Sequence, residues 1–128
     1  MEKNNLTKID PAFDSREQFA QLTQGTSSQI QAMRASAIFK DGKVPAKYKI
    51  LAATLWAISA KCEPCIIFYI QQAKKHGVSK EELGEFLAVA NTMGGCVGEM
   101  WALKAFHAYQ EGKNAEVCQY DSCCHTEE

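Results

Sequence analysis

Two cysteines separated by a glutamate and a proline, Cys62-Glu63-Pro64-Cys65, are the residues of this 128-residue chain best spaced for chemistry. Two thiols at this spacing close a small disulfide when a local turn brings their sulfurs together, which suits reversible two-electron exchange. If Pro64 opens a helix, Cys65 lies in its first turn. Unpaired backbone N–H groups and the positive end of the helix dipole then favour the thiolate, and Cys65 is expected to be the attacking thiol with Cys62 as its disulfide partner. Lys61 adds a positive charge beside the pair, and Glu63 opposes it. The competing reading makes the two cysteines small core residues. A zinc site would need four ligands, usually two such pairs, and no second CxxC is present.

A second thiol cluster, Cys118, Cys123 and Cys124 with His125, sits in a polar C-terminal tail. It can supply a resolving thiol, hold a soft metal or metalloid, or be an incidental set of thiols. Cys96 follows Gly94-Gly95 and reads as a small buried residue at a tight helix turn. Glu99 and His107 share a helix face and read as solvated, with a substitute acid or base as the alternative. His76 stands just before Gly77, where a cation favours a helix C-terminus.

The elements that must position these groups are helical. Asp10-Pro11 opens a helix to about Thr23, and residues 1–9 read as loose. Ser27 or Ser28 caps a second helix carrying Ile30, Met33, Ala37 and Ile38, which stops at Asp41-Gly42. From Pro45, the residues Ile50, Leu51, Thr54, Leu55 and Ile58 fall at helical spacing. Pro64 cannot continue that helix, so a break is expected between Lys61 and Glu63. The next helix presents Cys65, Ile66, Tyr69, Ile70 and Ala73 on one face and ends at Gly77. Ser79 and Glu82 form a capping box, with Val78 and Leu83 as a hydrophobic staple. Met93-Gly94-Gly95 closes that helix, and a last one runs to about Gly112. Trp56, Phe86, Trp101 and Phe106 read as core or subunit contacts. No stretch alternates as a strand. The expectation is an all-α, single-domain bundle of about six helices over residues 1–128, with a core at about 10–112 and a Cys-rich tail.

Composition limits the function. Fourteen basic against fifteen acidic residues give a net charge of -1, which provides no overall field for nucleic acid or an anionic membrane. The longest apolar stretch, Ile50 to Ala60, is far short of the roughly 20 residues a membrane span needs. The N-terminus has no apolar signal-peptide core, so a cytoplasmic location with reduced thiols is expected. There is no phosphate loop, dinucleotide fingerprint or nucleophile elbow, hence no cofactor is implied.

The run from Lys47 to Gly95, with CxxC opening a helix, the continuation through Ala73-Lys74-Lys75-His76-Gly77 and Glu81-Glu82-Leu83, and the Met-Gly-Gly ending, resembles the alkyl hydroperoxidase D-like, carboxymuconolactone decarboxylase superfamily. The resemblance covers about residues 45–110. It implies an all-helical subunit, a homo-oligomer (trimer or hexamer), and for members with CxxC a thiol-disulfide oxidoreductase or antioxidant peroxidase served by a dithiol reductant. Lactone decarboxylase activity is not implied. The peroxidase-type members carry a proton-relay glutamate twelve residues before the first cysteine and a histidine four after the second. These positions here are Ile50 and Tyr69. Ile50 carries no proton, and a tyrosine is a poor base at neutral pH although it can hydrogen-bond a thiolate. Disulfide exchange survives this change better than hydroperoxide reduction. The expected catalytic set is Cys62, Cys65 and Tyr69. The alternative is a soft-metal-binding or redox-sensing helical oligomer without turnover.

Overall fold

The computed structural model of the chain describes residues 2–111. Among these residues there are helices and turns and no strand. The described residues divide into two compact units, 2–40 and 41–111.

The first unit holds α1 (Glu2–Ile9), a 3₁₀ turn (Pro11–Ser15), α2 (Arg16–Leu22) and α3 (Thr26–Ala37). Asp10 caps the 3₁₀ turn, its carboxylate accepting from the Ala12 N–H at 2.9 Å, with Pro11 in the first turn. Residues 2–9 are helical rather than loose, because Leu6 is buried and the Thr7 hydroxyl donates to Asp14 at 2.8 Å. The single helix expected from Asp10 to Thr23 is instead the 3₁₀ turn followed by α2. The cap of α3 is Gly25 at φ 87°, not Ser27 or Ser28, and α3 ends at Ala37, before Asp41-Gly42. Ile30 and Met33 on α3 are exposed.

The second unit positions the cysteine pair. It consists of α4 (Ala46–Ser59), α5 (Glu63–Lys75) and α6 (Lys80–Glu111), each packed on the other two. Pro45 is the N-cap of α4 rather than its first helical residue. Ile50, Leu51, Ala57 and Ile58 of α4 join Ile66, Ile70 and Ala73 of α5 and Leu83, Leu87, Ala102 and Ala105 of α6 as buried residues. Burying a large aliphatic side chain contributes roughly 1.5–3 kcal/mol, so this apolar set is the main source of stability.

The start of α6 carries the capping box. Glu82 N–H donates to Ser79 Oγ at 3.0 Å, and Ser79 N–H donates to the Glu82 carboxylate at 3.0 Å. Val78 and Leu83 are both buried beside it. Lys47 on α4 also reaches Glu82, at 3.0 Å, tying the first turns of α4 and α6. Halfway along, Gly95 adopts φ 59°, ψ -141°, a conformation essentially reserved for glycine, and α6 bends there. The bend brings the two halves so close that a Cβ on Gly98 would collide with the Ala90 carbonyl oxygen. Among the described residues, no helix is long and apolar enough to cross a membrane.

Candidate redox site

Residues 57 to 66 form a single built junction between α4 and α5. α4 stops at Ser59, and Lys61 turns into the left-handed region at φ 57°. Lys61 N–H donates to Ile58 O at 3.0 Å and Cys62 N–H to Ala57 O at 3.1 Å. This is the two-bond helix-ending motif that places one left-handed residue just past the helix. The next peptide unit already belongs to α5: Cys62 is its N-cap, and Cys62 O accepts the Ile66 N–H at 2.9 Å. Glu63 and Pro64 fill the first two helical positions, where a carboxylate suits the dipole and a proline loses no hydrogen bond.

Cys65 is the third residue of α5, as the spacing predicts. The Cys62 and Cys65 sulfurs are bonded as a disulfide, with the Cα atoms 5.3 Å apart, inside the range such bridges require. Both cysteines are partly exposed. Their sulfurs thus meet at a helix N-terminus, where the first-turn N–H groups have no partner within the helix.

Tyr69 lies one turn beyond Cys65 on the same face of α5 and is buried, its ring edge-on to Phe68 at 4.9 Å between centroids. Ile50 is fully buried. Thr54 and Gln72 are the buried polar side chains among the described residues. The Thr54 hydroxyl is satisfied by Ile50 O at 2.9 Å, while the Gln72 amide nitrogen has no hydrogen-bond partner. Periodicity gives no hint that Gln72, an amide on a mostly apolar helix, is inside. His76 closes α5, its Nδ1 2.9 Å from Gln72 O, at the helix end where sequence places it.

One expectation fails here. Cys96 is exposed rather than buried, because the bend at Gly95 leaves the start of the second half of α6 on the surface. Trp56 is 71% exposed and is no part of the core, because it lies on the side of α4 opposite the buried face of Ile50, Leu51, Thr54 and Ile58; the subunit-contact reading of it stands as an expectation. Glu99 and His107 are exposed, and His107 lies 3.4 Å from Glu111 one turn on, as a solvated face would have it. Phe86, Trp101 and Phe106 are half-buried. Cys118, Cys123, Cys124 and His125 lie outside the described residues. Among the described residues, no three His, Cys, Asp or Glu side chains gather as a metal site would need.

The junction, the pair and the bend all fall inside a stretch with known relatives. The model of the carboxymuconolactone decarboxylase family matches residues 26–108. The chain belongs to the carboxymuconolactone decarboxylase family. The match begins at the first residue of α3, well before the region that carries the sequence resemblance. An uncharacterized protein of Cupriavidus necator is 36% identical over 113 residues, covering 88% of this chain and 96% of the relative. The crystal structure of an apo carboxymuconolactone decarboxylase family protein from Legionella pneumophila superposes with a TM-score of 0.67 at 32% identity. It covers 86% of this chain and 95% of that one. The all-α architecture is therefore that of the family.

Proposed function

We propose that this family member is a thiol-disulfide oxidoreductase working through Cys62 and Cys65. The reading is carried by one observation: a bonded, partly exposed cysteine pair seated at the N-terminus of a 13-residue helix. In the reduced protein, the helix end favours the Cys65 thiolate. That thiolate attacks one sulfur of an external disulfide, whose S–S bond breaks and releases a thiolate. Cys62 then attacks the Cys65 sulfur and displaces the second thiolate. Two electrons pass to the substrate, and the pair ends as a disulfide. An external dithiol runs the same two displacements in reverse and restores the pair.

A hydroperoxide can replace the external disulfide. Attack on its terminal oxygen breaks the O–O bond, leaves a sulfenic acid on Cys65 and releases an alkoxide that takes a proton from solvent. Cys62 then displaces hydroxide, which leaves as water. With Ile50 in place of an acid, this route lacks a built-in proton donor and is the slower of the two. Tyr69, one turn from Cys65, is the proposed hydrogen-bond donor to the thiolate. Exposed Met93, Val97 and Met100 on α6 and Trp56 on α4 support a homo-oligomer, which light scattering on the purified chain tests.

The deciding experiment oxidises the reduced protein with one equivalent of a small disulfide or an organic hydroperoxide, blocks free thiols and maps disulfides by mass spectrometry. Rapid formation of the Cys62–Cys65 bond, absent in Cys65→Ser, is expected. A pair that stays reduced while other cysteines oxidise overturns the reading.

A further inference from the structure

We propose that Lys61 is a positioning residue for the thiol-disulfide reaction, its ammonium holding the reduced pair toward the thiolate. This rests on the reading of Cys62 and Cys65 as a redox pair. The observation behind it is a backbone torsion. Lys61 has φ 57°, a region that residues with a Cβ enter only at an energetic cost. Glycine fits that position in the helix-ending motif without the cost.

The side chain offers no structural compensation for that strain. Lys61 is exposed, so it is not kept for packing. Among the described residues, its ammonium has no hydrogen bond or ion pair. Glu63, two residues on, does not neutralise it, and Glu63 has its own explanation as the first residue of α5, where a carboxylate faces the positive helix end. What distinguishes Lys61 is its location: an uncompensated cation on the residue next to Cys62, at the helix end that carries both sulfurs. Non-glycine residues held in the left-handed region concentrate where the side chain serves function. A cation beside a thiol favours its thiolate, which is the nucleophile.

The test compares Lys61→Gly, Lys61→Asn and Lys61→Arg in the full chain. Asparagine tolerates the left-handed region and carries no charge, and arginine keeps the charge. The reduced proteins are treated with iodoacetamide at pH 7, and alkylation is followed on the chymotryptic peptide that holds both cysteines. Lys61→Gly and Lys61→Asn should slow alkylation about two- to threefold, the effect of one exposed, solvent-screened unit charge on the neighbouring residue. Lys61→Arg should retain the wild-type rate, and Glu63→Gln should raise it. The Tm of oxidised Lys61→Gly should be no lower than wild type, because the turn it serves prefers glycine. Wild-type alkylation rates in both neutral variants, or equal slowing in Lys61→Arg, overturn the proposal. Alkylation needs no turnover, so this result is read independently of whether the pair proves to be catalytic.

Discussion

The second unit makes the same turn twice, once with residues suited to it and once without. Between α5 and α6, Gly77 takes the left-handed position at φ 84°, and Val78 N–H reaches back to Ala73 O at 3.0 Å. Ser79 and Glu82 then cap the next helix reciprocally. Between α4 and α5, the left-handed residue is Lys61, and Cys62 N–H reaches back to Ala57 O at 3.1 Å. The next helix opens on Cys62, whose side chain makes no capping hydrogen bond. Backbone geometry matches at the two junctions, and the chemistry on it differs. One end of α5 follows every local rule of helix termination and capping. The end that carries the cysteines departs from two of them, and such departures mark the parts of a fold kept for something other than stability.

Substitutions that exchange the demands of the two junctions sharpen this contrast. The largest effect is expected where space rather than torsion is limiting. Gly98→Ala forces a Cβ into the Ala90 carbonyl across the bend and should cost about 3 kcal/mol in urea unfolding. Gly77→Ala meets open space, so only its torsion is penalised, and a loss of about 1–2 kcal/mol is expected. Lys61→Gly should have the opposite sign. Relief of strain exceeds the added freedom of the unfolded chain by up to about 1 kcal/mol. A destabilised Lys61→Gly would break the comparison. Ser79→Ala should lose about 1 kcal/mol by removing the cap at the well-made junction.

The smallest effect is electrostatic and depends on pH. The Glu82 carboxyl is held below its usual range, first by the Ser79 N–H and then by Lys47. Lys47 is raised in turn, chiefly by its hydrogen bond to Glu82. A depressed carboxyl stabilises the fold above its unfolded pKa of about 4.3, and that contribution disappears as pH falls through the folded value. The stability gap between wild type and Glu82→Gln should therefore be full at neutral pH and close on acidification. Chemical unfolding across that range checks it.

The features legible in the sequence were those decided within four residues. Pro64 after an apolar helix, Ser79 with Glu82, and the paired glycines before Cys96 each announce a local geometry that the chain adopts. What sequence could not supply was set by contacts distant along the chain. Gln72 is buried on α5 although its type belongs outside. Lys47 meets Glu82 across 35 residues, and no spacing rule links them. The helix over residues 2–9 is hard to read because the segment is polar, with Leu6 and Ile9 its apolar residues. At the candidate site, the cysteines and the helix start were readable, but the left-handed Lys61 was not, since lysine is a poor sign of that conformation.

The first cysteine has its amide proton committed to α4 and its carbonyl oxygen to α5. Neither commitment involves sulfur. The frame that presents this thiol stands whether or not the bridge is closed, and the main freedom left to the residue is rotation about its own Cα–Cβ bond. Opening and closing the bridge therefore asks for a swivel of one side chain rather than a rearrangement of the chain, a latch whose doorpost stays in place.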